Sequence, residues 1–380
     1  MTTPAFPCDL PSILQRINQI DPIRYGKNRN YIDGNVSYLS PYISRGVIST
    51  KQILDHLIES GFKLYEIESF VKELAWRDYF QRLWQEKDIE KDIKFPQPDV
   101  EQSELPRCIA EAQTGILGID QSIQTLYDTG YMHNHCRMYV SSLACNIARS
   151  YWQIPARWMY YHLLDGDWAS NVCSWQWVSG SNSNKKYYAN QENISKFTGI
   201  QQSGTFLDKS YEELERMPPP YPLKDTLEPF LEPYLPMSDA IEINPVLPTF
   251  IYTYYNLDPF WNAETKGNRI LLLEPSHFKA YPVSRKCIDF ALNVGKNIPN
   301  LSVFSGEWHE LAELINPATA YYKEHPFNRH FKGNLESRSW MVPEITGYYP
   351  SFFAYWKRIE PYLKKQFTAN EGSKKTAFTQ

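Results

Sequence analysis

At 380 residues, with 42% apolar and 22% charged side chains, the chain can bury a large core, is too apolar to be disordered and has the length of two domains. A formal net charge of -4 excludes a globally basic nucleic-acid binder, so any DNA-binding surface has to be a local patch. No apolar run approaches a membrane span, the start MTTPAFPCDL lacks the pattern of a signal peptide, and the six cysteines form no CxxC pair, which together predict a cytoplasmic protein with free thiols.

Residues 1–24 read as a short helix with a loose start. Tyr25 then opens YGKNRNYIDGNVSYLSPYISRGVIST, a stretch rich in Asn, Ser and Gly that runs into a helix near Ser49 and can offer backbone N–H groups and hydroxyls to a phosphate. A second helix covers roughly 65–84, with Glu73, Trp76, Arg77 and Phe80 on one face. By spacing alone, a Glu73–Arg77 pair at i, i+4 on an amphipathic helix is the plainer reading. Residues 91–110 are polar and irregular, and an apolar helix through Ile119, Ile123 and Leu126 follows.

The most informative stretch runs from His133 to Trp177. Met138, Ala144, Ile147, Ala148 and Tyr151 recur at helical spacing without Pro or Gly, which predicts one helix over 133–152. Asn134, Arg137, Met138 and Ser141 share a face that mixes an amide, a guanidinium and a thioether, unlike a structural core stripe. In LLDGDWASN, Asp165 and Asp167 flank a glycine turn that can bring a carboxylate to Arg137. Trp152, Trp158, Trp168, Trp175 and Trp177 follow closely; alone, each reads as core.

After Trp177 comes a polar loop with Lys185 and Lys186, then the short helix SYEELE. Nine of the 31 residues from Pro218 to Pro248 are proline, which marks a semi-rigid extended connector and a domain boundary. Strands are expected at 250–255, 270–273, 301–304 and 318–322, and helices at 284–294 and 309–315. That alternation implies a small parallel sheet. The organisation expected is therefore a helical domain over 1–217, a linker over 218–248, a small α/β domain over 249–363 and a disordered polar tail over 364–380.

YMHNHCRM, Trp152 and DGDWASNVCSWQW together resemble the flavin-binding domain of the cryptochrome/DNA photolyase family, whose run is WMHNRxRM, then a Trp, then DGDxAxNxGxWQW. An ordered match of this length is far more specific than a short motif. SYLSPYISRG resembles the family's TSxLSPYLxxG, with Val36 where Thr is usual, and ELAWRDYF resembles ELxWRDFY. The resemblance implies an all-helical FAD-binding domain followed by a small Rossmann-like parallel α/β domain. The family normally places its α/β domain first, so the chain resembles a shortened, circularly permuted member.

The resemblance implies FAD held by Tyr25, Ser37, Leu39, Ser40, Arg77, Asn134, Arg137, Asp165, Asp167 and Asn171, with Asn171 facing flavin N5. It implies light-driven repair of cyclobutane pyrimidine dimers in DNA. Glu73, Trp76, Asn134, Met138 and Trp177 would contact the flipped-out dimer, and the protein would act as a monomer away from membranes without a metal. Asn134 and Met138 stand where the (6-4)-repairing branch has His. Trp175 and Trp152 match the first two members of the family's electron-transfer chain, while Asp99 stands at the place of the third. An antenna chromophore, folate or deazaflavin, is left open for the α/β domain. The alternative is a cryptochrome-like FAD photoreceptor that signals to a protein partner without repair. Tyr131, Val172 and Asn190, each a departure from repair enzymes, favour that alternative.

Overall fold

A computed structural model describes residues 5–377, with side chains to residue 369. The chain forms two compact units that alternate along the sequence. One comprises Arg24–Val36 and Glu86–Leu231, the other Phe6–Ile23, Ser37–Gln85 and the described residues from Glu232 onward. The helix Leu64–Glu86 therefore belongs, but for its last residue, to the unit that holds the parallel sheet.

In the first unit the helices Leu117–Thr129, Asn134–Ser142, Gln153–His162, Trp168–Ser179 and Gln191–Thr198 surround a core that includes fully buried Trp152, Trp158, Trp168 and Trp175. The first of these stops at Gly130, whose φ of 73° is the left-handed closure that favours glycine. A Cβ at Gly130 would lie 2.6 Å from Leu164 Cγ, so a larger residue is also excluded by packing. Core burial of each large apolar side chain contributes on the order of 2 kcal/mol before the entropy of ordering is counted.

The helix expected over 133–152 is shorter than its pattern suggests. It runs as Asn134–Ser142 and widens into a π turn at Leu143–Ile147. It cannot continue, because Arg149 takes a φ of 58°. The cause lies in residues 97–102, which compete for the backbone after Ile147. Gln102 donates from Nε2 to Ala148 O at 3.0 Å, Tyr151 N donates to Gln102 O at 2.7 Å, and Gln97 Nε2 donates to Ser150 O at 2.8 Å. Trp152 consequently precedes the next helix, Gln153–His162, instead of ending the previous one.

The second unit carries a five-stranded, all-parallel sheet: β1 (Thr249–Thr253), β2 (Asn268–Leu273), β3 (Leu301–Ser305), β4 (Ala320–Lys323) and β5 (Asn334–Glu336). The order is β3-β2-β1-β4-β5. The continuous apolar run of β2 suits a strand covered on both faces, and Ile251, Ile270, Leu272, Trp308, Leu311, Ala320, Tyr322 and Phe331 form the core beside it. Helices Arg285–Gly295 and Trp308–Leu314 match the expectation, whereas β5 and the helix Pro275–Ala280 are additions to it. The strand expected at 250–255 ends at Thr253.

The proline-rich stretch over 218–248 is divided between the two units, with Thr226–Leu227 paired to Leu105–Pro106 in the first and a further part held within the second. Asp239 exchanges hydrogen bonds with Val303 at the outer strand, at 2.9 and 2.7 Å, and Ile241 and Ile243 pack on the core. The tail read as disordered from Lys364 instead continues the helix Phe352–Ala377, with residues 378–380 outside the described residues. Tyr355, Ile359, Leu363 and Phe367 are buried at a four-residue spacing, and this stripe stabilises a helix that its polar composition alone would not predict.

Candidate functional site

The residues singled out by the sequence divide between the units. In the first, Arg137 projects from the helix Asn134–Ser142. Its Nη2 donates to both carboxylate oxygens of Asp165, at 3.0 and 2.8 Å, and its Nε to Met132 O at 2.8 Å. The side chains of Arg137 and Asp165 are 20% and 4% exposed, so this is a pair shielded from water. The guanidinium also lies 5.5 Å from the Tyr131 ring, so tyrosine retains an aromatic neighbour for Arg137 where the family run has Trp.

Two residues on, Asp167 caps the helix Trp168–Ser179 by accepting from Ser170 N at 2.8 Å. Gly166 makes this possible: a Cβ there would come within 3.0 Å of Leu163 O and 3.2 Å of Tyr160. The Asp-Gly-Asp turn thus holds one carboxylate on Arg137 and the other on a helix N-terminus. On the same helix Asn171 donates from Nδ2 to Ala156 O at 2.9 Å, which leaves its Oδ1 to accept. Asn134 is exposed and Met138 half-buried. The expected face is present, with Ser141 turned back to donate to Arg137 O.

His133, just before this helix, is buried. Burial first, then the charges of His135 and Arg137, push its imidazole down to about 4. The site is therefore flanked by a neutral histidine at physiological pH.

Trp175 is 1% exposed, and its indole N–H has no hydrogen-bond partner among the described residues. Trp152 is fully buried and donates from Nε1 to Asp92 Oδ1 at 2.7 Å. Asp99 is exposed and paired with Lys186. Trp177 is 42% exposed and lies beside Tyr187. Trp158 and Trp168 are core residues whose indoles are satisfied by Tyr127 and Glu90. Sequence reasoning missed Asp92, whose link to Trp152 spans sixty positions without a motif. Asn190 caps the helix Gln191–Thr198 by accepting from Asn193 N.

In the second unit, Arg77 donates to Ser44 Oγ at 3.2 Å and to Ile43 O at 3.3 Å, which ties the helix Leu64–Glu86 to the short helix Ser40–Ser44. Leu39 is buried, and Ser37 and Ser40 are half-buried. The helix expected near Ser49 begins at Thr50. Its N-terminus is closed by a reciprocal box between Ser49 and Gln52, so those donors are already used. Glu73 and Trp76 are both half-buried. One face of Trp76 is covered by Phe352, with centroids 3.8 Å apart and planes 8° from parallel.

Beyond the carboxyl ends of β1 and β4, where the strand order reverses, the second unit opens a polar crevice of about 640 Å³ including its mouth. Asp258 and Lys323 pair at 2.9 Å in its wall, and Arg77 and Arg338 also line it.

Residues 70–233 match the family model of the FAD binding domain of DNA photolyase. The deoxyribodipyrimidine photo-lyase of Alkalihalophilus pseudofirmus is 27% identical over 215 residues, covering 52% of this chain and 43% of that protein. Cryptochrome-1 of Sinapis alba is 28% identical over 185 residues, covering 44% and 37%. Among solved structures, the cryptochrome of Synechocystis sp. aligns at 24% identity over 58% of this chain and 49% of that one, with a TM-score of 0.46. The chain thus spans less than half the length of these curated relatives.

The chemistry of the first unit suits a flavin. Arg137 keeps Nη1 unused among the described residues, Asn171 presents Oδ1, and the buried Ser170 hydroxyl has no partner. These are acceptors and donors for a polar heterocycle beside an aromatic core.

Proposed function

We propose that the chain is a member of the cryptochrome/photolyase family, whose FAD-binding domain model matches residues 70–233, and that it uses blue light to split cyclobutane pyrimidine dimers in DNA. The observation that carries the reading is the shielded Arg137–Asp165 pair with Asp167 beside it on the helix cap, inside the matched residues. FAD supplies light-driven one-electron donation when bound.

Asn134, Arg137, Asp165, Asp167 and Asn171 are the first unit's residues for the flavin, with Tyr25 of the same unit by resemblance; the resemblance also assigns Ser37, Leu39, Ser40 and Arg77, which belong to the second unit. Arg137, fixed by Asp165, supplies a positive charge where negative charge is to be stabilised. Asn171 Oδ1 suits a protonated ring nitrogen, and a neutral amide there avoids imposing a charge on either redox state. The matched domain follows in reverse chain order the arrangement usual for the family, and the parallel sheet downstream of residue 233 supports the permuted reading.

A flipped-out dimer needs stacking faces and a polar contact. In the first unit exposed Trp177 offers a face, Met138 an apolar surface and Asn134 a polar edge, and the resemblance also assigns Glu73, of the second unit, to the dimer. Photolyase names among the relatives, and Asn134 and Met138 in place of the two His of the (6-4) branch, support dimer repair. The second reading, a photoreceptor acting on a protein partner, is favoured by one observation: Phe352 already stacks on a face of Trp76. The deciding experiment illuminates the reduced protein with dimer-containing DNA and scores loss of dimers. No loss under conditions where the flavin is fully reduced selects the photoreceptor reading.

A further inference from the structure

Trp152 is 0% exposed, so an electron hole that reaches it still has to travel to solution, and Asp99, at the place where the resemblance expects the next tryptophan, cannot carry it. Its neighbour Tyr151 can. The Tyr151 ring lies 5.5 Å from the Trp152 ring at 44°, and the residue is only half-buried. Both side chains converge on one carboxylate oxygen: Asp92 Oδ1 accepts from Trp152 Nε1 at 2.7 Å and from the Tyr151 phenol at 3.2 Å.

The arrangement is built rather than incidental. Asp92 Oδ2 accepts from Gln97 N at 3.0 Å, and buried Gln97 in turn holds Trp152 N through Oε1 at 2.9 Å and Ser150 O through Nε2 at 2.8 Å. The three groups that reach Asp92 among the described residues, Trp152 Nε1, the Tyr151 phenol and Gln97 N, are all donors, so its carboxylate acts as acceptor to each. Trp175 differs, because its indole N–H has no acceptor among the described residues. A hole on Trp175 therefore has no local base to take its proton, whereas a hole at the Tyr151–Trp152 pair has one within hydrogen-bond reach.

We propose that Tyr151 is the terminal electron donor of the light-driven chain, with Asp92 as the base that takes its proton. The proposal rests on the light-driven reading above. In the step, one electron passes from the phenol to the Trp152 radical cation, whose own electron has left by way of Trp175 towards the photoexcited flavin. The Tyr151 O–H bond breaks and an O–H bond forms on Asp92. The products are a neutral tyrosyl radical, a restored Trp152 indole and a protonated Asp92. A thiolate in solution, the reductant class required to reset the chain, then gives the tyrosyl radical an electron and leaves as a thiyl radical, and the Asp92 proton returns to the phenol oxygen. At rest the phenol keeps its proton, since burial and then the Asp92 charge push it up to about 12. Loss of the proton is thus tied to oxidation, and that makes the separated charge slow to recombine.

The test uses the FAD-loaded protein, illuminated in the presence of a thiol. Flavin absorbance reports reduction, and electron paramagnetic resonance of freeze-trapped samples identifies the radical. Wild type is expected to show a tyrosyl radical that is lost in Tyr151→Phe, where only a tryptophan radical forms and reduced flavin accumulates severalfold less at unchanged flavin content. Tyr151→Trp should restore accumulation with a tryptophan signature, a rescue that a merely structural role would not produce. Asp92→Asn, which keeps the shape but removes the base, should lower the tyrosyl yield. An unchanged radical spectrum and yield in Tyr151→Phe overturns the inference and leaves light-driven reduction standing. A wild type in which light reduces no flavin overturns the underlying reading, and the inference with it.

Discussion

Replacing Arg137 by alanine takes from a nearly buried carboxylate both of its guanidinium hydrogen bonds, and takes from Met132 O the hydrogen bond donated by Nε. Removing one partner of a buried pair costs about 3–5 kcal/mol, and the partial exposure of Arg137 places this case near 3. Asp165→Ala should cost less, because the arginine left behind can turn its head towards solvent. The double substitution should cost less than the sum of the singles by about 1–3 kcal/mol, since it leaves no half of the pair behind. The assay is urea unfolding of the three variants and wild type at saturating FAD, because bound ligand itself stabilises by mass action, together with the flavin content of the purified proteins. All three should lose flavin. Arg137→Ala within about 0.5 kcal/mol of wild type would refute the claim that the pair is shielded, and full flavin content in the double variant would mean that the cofactor lies elsewhere.

Trp175→Phe should retain FAD but lose light-driven reduction, because an indole is oxidisable where a phenyl ring of similar shape is not; absorbance under blue light checks this. Glu73→Gln should bind dimer-containing DNA nearly as well as wild type but repair it with altered quantum yield, since the amide keeps the shape of the side chain while changing its donor and acceptor pattern. Equal yields would remove Glu73 from the site. His133 is held neutral in the fold, from an ordinary 6.5 down to about 4. The unfolded chain therefore binds a proton that the folded chain refuses, so stability is full above 6.5 and falls between 6.5 and 4, by roughly 3 kcal/mol from this group alone. His133→Gln should flatten that part of the curve in urea unfolding at a series of pH values, and an equally steep loss would place the titration on other groups.

Local pattern was enough for much of this protein. The order of Asn134, Arg137, Met138, the Asp-Gly-Asp turn and the tryptophans pointed to the family, since the chemistry of holding a flavin falls within a short span. The alternating strands from Thr249 onward made the parallel sheet legible, because buried parallel strands are continuous apolar runs. Spacing even brought Arg137 and Asp165 together, since a helix and a short turn leave little freedom between them.

Tertiary structure decided what competes for the same backbone or ring. The sequence of 133–152 favours a continuous helix, yet residues 97–102 take its last carbonyls and amides, and a periodicity read within one segment cannot register a rival for those groups. The buried stripe of Tyr355, Ile359 and Leu363 carries on to Phe367 inside the polar stretch that starts at Lys364, and such a stripe counts only once a core exists for it to cover. Trp76 read as an open stacking face until Phe352, 276 positions away, was found upon it. Asp92 carried no signal at all. A lone aspartate in a polar loop is unremarkable in sequence, and only the fold makes it the shared acceptor of Tyr151 and Trp152.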